Sequence, residues 1–325
     1  MDKKHLIKNY SQEEFTKTAL EIFRFQAQNV AVYKDYLRHI GCDVNLVDQL
    51  EKIPFLPITF FKSHSIISGF SKEKLTFFSS GTTNQNRSKH LIANSELYKE
   101  SFSKGFEYFF GDVTNYVILA LLPSYLEQGN SSLVYMVNDL INESKNGDSG
   151  FYLNNYTDLL DKLETIEKRQ QKALLIGVSY ALLDLIEMKK FKLNNTMIME
   201  TGGMKGRRNE LIKSELHTLL QAGFGVEKIY SEYGMTELLS QAYSLGGNHF
   251  KSSPWMKILI REMEDPYTFL GNDRVGGINV IDFANYFSCS FIETQDLGKT
   301  HENGTFEVLG RFDNSDIRGC NLMIV

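Results

Sequence analysis

The spacing of apolar positions predicts a helical N-terminal segment followed by an extended connection. From Ser11 onward, apolar side chains recur every three or four residues, which is the spacing of one buried helix face. Ser11 and Glu14 stand at capping-box spacing, so we expect the helical segment to begin there and to end at Gly41. Pro54 and Pro57 then predict extended backbone, because proline cannot continue a helix.

Short apolar runs alternate with longer amphipathic stretches in the middle of the chain. A helix is predicted after Asn94, where helical periodicity resumes. The predicted strands are residues 115–123, 172–179 and 195–203, and the predicted covering helices are residues 131–144, 181–191 and 207–223. Apolar strands that alternate with helices are typical of a largely parallel, buried sheet. The pattern therefore predicts an α/β fold.

The pattern changes after about residue 250 to short strands separated by turns rich in glycine, asparagine and aspartate. The predicted strands are residues 256–263, 276–285, 289–294 and 305–312. We therefore divide the chain into two parts. Residues 1–250 would form the helical segment and the α/β core, and residues 251–325 would form a β-rich subdomain.

Composition narrows the class of protein. Of the 325 residues, 42% are hydrophobic and 23% are charged, and no apolar run approaches the roughly 20 residues of a membrane helix. The formal net charge is -5 and the basic residues are scattered, which argues against nucleic acid as the partner. Cys42, Cys289 and Cys320 suggest neither a disulfide framework nor a zinc site, and the histidines show no paired spacing. We expect a cytoplasmic protein that binds neither membrane nor nucleic acid.

A run of hydroxyl residues around one glycine, followed by cations, is the first candidate site. The run comprises Ser79, Ser80, Gly81, Thr82 and Thr83, with Arg87 and Lys89 after it. Hydroxyls and backbone N–H groups donate to phosphate oxygens and the cations offset their charge, so the run could cradle a polyphosphate. The same residue types also make polar hairpin loops, and the run by itself does not decide between the two.

The second candidate site is the segment IYSEYGMTELLS. It predicts a short strand followed by a strand-to-helix junction that holds Tyr233, Gly234, Thr236 and Glu237. Glycine lets a ligand approach the backbone, tyrosine offers a stacking surface, and a carboxylate can hold magnesium beside phosphates. Taken alone, the segment could equally be the N-terminus of a helix with a favourably placed glutamate.

Taken together, SSGTT and YGMTE resemble the adenylate-forming superfamily of acyl-CoA synthetases and their relatives. The resemblance implies that the hydroxyl loop holds the phosphates of ATP. It also implies that Tyr233 stacks on adenine, that Thr236 lies near the phosphate, and that Glu237 binds Mg²⁺.

Three further segments resemble the same superfamily. METGGMKGR matches a loop that lines the adenine, which implies roles for Gly202, Gly203 and Met204. FIETQDLGK matches the strand that carries a ribose-binding aspartate, here Asp296. LGRFDNSD matches a conserved arginine and a hinge aspartate, here Arg311 and Asp313.

The sequence departs from the superfamily pattern at two places. In the hydroxyl loop, Asn84 replaces a glycine, Asn86 a proline and Arg87 a lysine, and arginine keeps the charge but not the geometry of lysine. The superfamily continues into a small mobile domain with a catalytic lysine. This sequence stops at Val325, so we expect that domain to be absent.

One branch of the superfamily is the most similar: the acyl-protein synthetases of bacterial bioluminescence, which activate a fatty acyl group for a reductase. The segments LLPSYLEQGNSSLVYMV, YGMTELLSQAYS and GRFDNSDIRGCN resemble that branch, and Cys320 matches the position of its acyl-accepting cysteine. The resemblance implies ATP- and Mg²⁺-dependent activation of a fatty or other carboxylic acid. The acyl group would then pass to a thiol of Cys320, a carrier protein or CoA, with a reductase as a further partner.

Two alternatives remain open from the sequence. GVSYA, between an apolar strand and a helix, approximates the nucleophile elbow of α/β hydrolases, with Ser179 as nucleophile and His249 or His301 as base. The chain could also be a relative that binds an acyl group or a nucleotide without turnover.

Overall fold

The architecture follows the α/β pattern predicted from the sequence. The computed structural model describes residues 6–79, 87–123, 129–202 and 211–312. The described α-helices are α1 (Gln12–Asn29), α2 (Ala31–His39), α3 (Phe60–Ser63), α4 (Ser95–Phe110), α5 (Ser132–Ser144), α6 (Tyr156–Arg169), α7 (Ser179–Met188) and α8 (Lys213–Phe224). Within these ranges no helix has the length and apolar character needed to cross a membrane.

The strands are short in the first half of the chain and longer in the second. They are β1 (Leu56–Pro57), β2 (Leu75–Phe78), β3 (Lys89–Ile92), β4 (Val117–Leu121), β5 (Gly150–Phe151), β6 (Ala173–Val178), β7 (Thr196–Thr201), β8 (Tyr230–Tyr233), β9 (Ala242–Ser244), β10 (Phe250–Ser252), β11 (Met256–Arg261), β12 (Phe269–Leu270), β13 (Gly276–Asp282), β14 (Phe291–Thr300) and β15 (Phe306–Arg311). The predicted strands of both regions are confirmed.

The N-terminal segment is helical from the predicted start, but it forms two helices. The Ser11 Oγ accepts a hydrogen bond from the Glu14 N–H at 3.2 Å, and the Glu14 carboxylate accepts one from the Ser11 N–H at 2.9 Å, which confirms the capping box. The helix then breaks at Val30, whose backbone is extended and forms a β-bridge with Ser68. The prediction of helical structure uninterrupted as far as Gly41 is therefore wrong at Val30.

A large mixed sheet forms the centre of the molecule. Among the described strands its order is β12-β11-β13-β14-β15-β10-β9-β8-β7-β6-β4-β5, and β1 pairs with β14. Strands β5, β4, β6, β7 and β8 are parallel, as the apolar runs predict. All residues of β4 and β6 are buried, because helices cover both faces of a parallel sheet.

The β-rich C-terminal part continues the same sheet with antiparallel pairing. Strand β9 pairs antiparallel with β8, β10 pairs with β9, and β10 meets β15 through one residue pair, Phe250 and Phe306. The division of the chain at about residue 250 stays a prediction. The single residue pair between β10 and β15 is a narrow joint in the sheet, and the pairing of β9 with β10 and of β1 with β14 also crosses the division.

The segment after Tyr233 does not enter a helix, so the predicted strand-to-helix junction is wrong. The chain instead turns back into the antiparallel strand β9. The buried Asp282 carboxylate holds this turn: it accepts from the Leu239 N–H at 2.8 Å, the Ser240 N–H at 2.9 Å and the Ser240 hydroxyl at 2.5 Å. The turn thus obtains from a side chain the hydrogen bonds that a helix would supply from its own backbone.

Candidate active site

The hydroxyl run is the connection of a β-hairpin. Strands β2 and β3 pair antiparallel, and two hydrogen bonds between Ser79 and Ser88 extend the pairing. The Ser79 N–H donates to the Ser88 carbonyl at 3.0 Å, and the Ser88 N–H donates to the Ser79 hydroxyl oxygen at 2.9 Å. The Arg87 Nε donates to the Ser79 carbonyl at 2.5 Å. Ser79 and Arg87 therefore stand at the two ends of the loop. Residues 80–86, which include the predicted Ser80, Gly81, Thr82 and Thr83, lie outside the described residues.

The base of this hairpin is joined to the YGMTE segment by two buried side chains. The His90 Nδ1 lies 2.9 Å from the Thr236 carbonyl, and its Nε2 lies 2.8 Å from the Ser288 hydroxyl. Since a carbonyl only accepts, Nδ1 carries the proton and Nε2 accepts from Ser288. The Ser88 hydroxyl donates to the Glu237 carboxylate. The structure thus brings the two motifs together, as the resemblance implies.

Glu237 is a buried carboxyl with few compensating groups. Only 6% of the residue is exposed to solvent. Burial raises the pKa of Glu237 above its ordinary value, against the hydrogen bond from Ser88 and the positive charge of Arg311. A buried carboxyl in this state favours a nearby cation, which is the chemistry expected of the predicted magnesium ligand.

His90 provides a test of the hairpin junction through pH. Burial lowers its pKa from 6.5 to about 4, so between these values the unfolded chain binds a proton that the folded protein does not. Its stabilising contribution is present above about pH 6.5 and is lost as the pH falls towards 4. Through His90, the wild type should lose about 3 kcal/mol of unfolding free energy as the pH falls across this window, and His90→Asn should not show this loss. Thermal unfolding at a series of pH values measures the difference. The exposed His64, replaced by asparagine, serves as the control, and an unchanged pH slope in His90→Asn would contradict the assignment.

Tyr233, Asp296 and Arg311 form a second cluster on three strands. The Tyr233 hydroxyl donates to the Asp296 Oδ2 at 2.9 Å, and the Arg311 Nε donates to its Oδ1 at 3.0 Å. The Tyr233 ring packs edge-on against Phe250 and Phe306 at centroid distances of 6.0 and 5.7 Å. Burial, and then the Asp296 charge, raise the pKa of Tyr233 well above its ordinary value, so the hydroxyl keeps its proton.

Arg261 holds the strand that carries Asp296, and it belongs to none of the motifs identified in the sequence. Its buried guanidinium donates to the Asn279 side chain at 2.8 Å and to the carbonyls of Ile278 and Thr294 at 3.1 and 2.8 Å. The Thr294 hydroxyl in turn accepts from the Asp296 N–H at 3.1 Å. A buried cation on β11 therefore holds the strand of Asp296 from across β13.

A cavity of about 480 Å³ opens beside these clusters. Its described lining comprises Phe78, Arg87, Tyr98, residues 129–133, Met136, Thr201, Gly202, Glu232, Gly234, Met235, Thr236 and Gln241. Gly202, Gly234, Thr236 and Arg87 are residues that the sequence predicts to be in the site. Glu237, Asp296 and Arg311 are not part of this described lining. The Tyr233 ring is likewise not part of the described lining, so its stacking on adenine stays a prediction.

Glu232 is a cavity residue that the motif comparison missed. The Thr201 hydroxyl donates to its Oε2 at 2.6 Å. Burial raises the pKa of Glu232 to about 7, the Glu200 carboxylate adds to the rise, and the Thr201 hydrogen bond opposes it. A Cβ on Gly234 would stand 2.4 Å from the Glu232 Oε1, which explains the glycine at this position. The carboxyl precedes the YGMTE motif and follows no pattern that the sequence alone identifies.

The hydrolase alternative fails on the geometry of Ser179. This residue begins α7 and is buried, and its hydroxyl donates to the Gly202 carbonyl at 2.8 Å. The two proposed bases are held elsewhere, since the rings of His249 and His301 lie 4.8 Å apart and His301 contacts Asp273 and Glu307. The Ser179 hydroxyl is thus engaged with the backbone at the end of β7.

Several predicted site residues lie outside the described residues. They are Gly203 and Met204 of the adenine loop, the hinge residue Asp313, and Cys320. Their predicted roles stay predictions.

Comparison with known protein families agrees with the resemblance seen in the sequence. A model of the family described as acyl-protein synthetase, LuxE, matches residues 5–325. No curated protein matches this chain.

Solved structures with a similar fold include proteins in complex with ATP, AMP or an acyl adenylate. The ATP-bound MatB from Rhodopseudomonas palustris is 17% identical, with a TM-score of 0.56 over 73% of this chain and 47% of its own. An open conformation of 2-hydroxyisobutyryl-CoA ligase with 2-HIB-AMP and CoA is 10% identical, with a TM-score of 0.64 over 94% of this chain and 77% of its own. The O-succinylbenzoate coenzyme A synthetase MenE from Bacillus subtilis, with AMP, is 18% identical, with a TM-score of 0.51 over 76% and 50%.

At these identities the likeness shows the fold alone, and it confirms the fold class expected from the resemblance. This chain spans about half the length of MatB and of MenE.

Proposed function

Because this chain belongs to the LuxE acyl-protein synthetase family, we propose that it activates a carboxylic acid with ATP and passes the acyl group to a thiol. The observation that carries the proposal is the meeting of the hydroxyl hairpin with the YGMTE segment through His90 and Ser88. These segments are far apart in sequence, and their packing places a loop suited to phosphates beside a buried carboxyl.

The nucleotide would bind across the ends of β7, β8 and β14. Gly202 and Gly234 line the cavity and leave space for close approach to the backbone. The Asp296 carboxylate can accept from both hydroxyls of a ribose, and the bonds from Tyr233 and Arg311 fix its plane. Arg87, at the end of the hairpin loop, supplies positive charge towards the phosphates.

A magnesium ion fits the chemistry of Glu237. This carboxyl is buried and its pKa is raised, so a hard cation would compensate a charge that the protein itself leaves poorly paired. When bound, the ion would supply a Lewis acid for the α- and β-phosphate oxygens. The Thr236 side chain and the backbone of the same turn would donate to the phosphate as its negative charge develops.

A fatty acid is the finer substrate that we propose. Apart from Met235, the apolar side chains of the described cavity lining are Phe78, Tyr98, Leu133 and Met136, on β2, α4 and α5. These side chains offer a surface for an alkyl chain, whereas the polar lining of Glu232 and Thr236 lies on the nucleotide side of β8.

The reaction would proceed in two displacements. A carboxylate oxygen of the acid attacks the α-phosphorus of ATP, and the bond to pyrophosphate breaks, giving acyl adenylate. A thiolate then attacks the acyl carbon, the thioester bond forms, and AMP leaves with the electron pair of the broken carbon–oxygen bond. The protein's own residues position the reactants and neutralise charge in the first step.

Exchange of labelled pyrophosphate into ATP tests the proposal. We expect exchange that depends on an added carboxylic acid and that is strongest with a fatty acid in a series of chain lengths. ATP binding without exchange, for every acid offered, would instead identify a binding protein without turnover. A short or aromatic acid as the preferred substrate would overturn the fatty-acid assignment and leave the adenylation assignment standing.

Cys320 is the acceptor that we propose, with a carrier-protein thiol or CoA as the other candidates and a reductase as the consumer of the thioester. With ATP and a labelled fatty acid, we expect hydroxylamine-sensitive label on the wild-type protein and at least about a tenfold loss in Cys320→Ser. Cys42→Ser is the matched control. Pyrophosphate exchange should stay unchanged in both variants, because the thiol acts after adenylation. Equal labelling of Cys320→Ser and wild type would show that the acceptor is another group.

A further inference from the structure

Two histidines and a glutamate converge at the joint between the two parts of the sheet, and none of them lines the cavity. His249 directly precedes β10, His301 directly follows β14, and Glu307 lies near the start of β15. One ligand atom from each residue lies within 4.8 Å of the others. The two imidazole rings lie 4.8 Å apart at an angle of 54°.

The His301 ring lies between two carboxylates. Its Nδ1 lies 2.6 Å from the Asp273 Oδ1 and its Nε2 lies 2.9 Å from the Glu307 Oε1. With Asp273 at Nδ1, the ring directs its Nε2 towards Glu307. An ion at this position would therefore meet an imidazole nitrogen and a carboxylate oxygen together, with the second imidazole close by.

We propose that His249, His301 and Glu307 bind a zinc ion. Asp273 would orient the His301 ring through its contact with Nδ1, without touching the ion. Two imidazole nitrogens and one carboxylate oxygen suit zinc, which takes three protein ligands and one water in many sites. A carboxylate on the far nitrogen of a ligating histidine is a recurrent arrangement that fixes its tautomer. The Lys299 Nζ lies 3.1 Å from the Glu307 Oε1, so the ion would displace this contact on binding.

The site would fasten the joint of the sheet. Strands β10 and β15 share one residue pair, Phe250 with Phe306, and these rings stack at 5.5 Å. His249 directly precedes Phe250, and Glu307 directly follows Phe306. An ion that bridges them would reinforce the pairing of β10 with β15, where the backbone contributes only one residue pair. This place is close to the rings that pack on Tyr233.

Zinc titration of the chelator-treated full chain tests this proposal. We expect isothermal titration calorimetry to show one Zn²⁺ bound per chain. When cobalt replaces zinc, we expect the visible absorption spectrum of four-coordinate Co²⁺. His249→Ala and Glu307→Gln should each weaken zinc binding by about a hundredfold. Asp273→Asn should weaken it by about tenfold, the size of effect typical of an outer carboxylate.

The controls use histidines elsewhere on the surface. His39→Ala and His64→Ala should bind zinc like the wild type, and zinc should raise the thermal midpoint of the wild type but not that of His249→Ala. Because His249 is exposed, its replacement leaves the fold intact. Binding that is unchanged in His249→Ala, or no saturable binding of zinc, would overturn the proposal.

Discussion

Replacing Glu237 with glutamine is expected to lower acid-dependent pyrophosphate exchange by about a thousandfold. Glutamine has the size of glutamate and can accept the hydrogen bond from Ser88, so the hairpin base should keep its structure. The change removes the carboxylate of a buried residue at the base of the hairpin. The variant therefore tests the proposed role of Glu237 as a magnesium ligand without disturbing the fold of the site.

Two further measurements on Glu237→Gln sharpen the result. The magnesium concentration at half-maximal exchange should rise, because a ligand of the ion is lost, while the thermal midpoint should stay close to that of the wild type. The exposed Glu21, replaced by glutamine, is the matched control for loss of one carboxylate. Exchange at the wild-type rate in Glu237→Gln would remove this residue from the reaction.

The second large effect is expected on stability, from Gly277→Ala. A Cβ at this position would stand 2.3 Å from the Arg261 Cζ and 2.5 Å from its Nη1. Three hydrogen bonds hold that buried guanidinium, so it cannot move without leaving carbonyl groups unpaired. We expect a loss of about 3 kcal/mol in the free energy of unfolding, measured by urea denaturation.

The same site offers two controls. Gly271→Ala places a methyl group where no atom lies within 4 Å, so it should leave stability nearly unchanged. In a double-mutant cycle, Arg261→Ala combined with Gly277→Ala should cost less than the sum of the single changes, because the clash needs both side chains. Additive losses would mean that Gly277 acts through something other than the guanidinium.

Local patterns in the sequence were sufficient for the elements of the core. The apolar runs that predict β4 and β6 are buried along their whole length, since strands covered on both faces leave no polar position in the run. The capping box at Ser11 likewise predicts the start of α1, because its bonds join residues three apart. In both cases the determining interactions lie within a few residues.

The errors arise where long-range contacts override a local pattern. The turn after Tyr233 is fixed by Asp282, which lies more than forty positions later, so a helix could not be excluded from the local sequence. The break at Val30 depends on pairing with Ser68 in the same way. Neither partner is recognisable until the chain has folded.

For the candidate site, the order of the motifs was the only guide that the sequence offered. Thr236, Asp296 and Arg311 follow from segments that resemble a family, but His90 and Arg261 do not. His90 looked like any core histidine. Arg261 had one faint signal: a cation inside an apolar strand, opposite Gly277 in the register of β11 and β13.

The junction of the hairpin with the YGMTE turn has a thermodynamic consequence. His90 bonds to the Thr236 carbonyl and Ser88 bonds to the Glu237 carboxylate, so the loop that would receive phosphates and the carboxyl that would receive a cation share one support. A ligand that binds at either element therefore acts on the same support as a ligand at the other. Nucleotide and divalent cation should then bind with positive cooperativity, each raising the affinity for the other by the same factor.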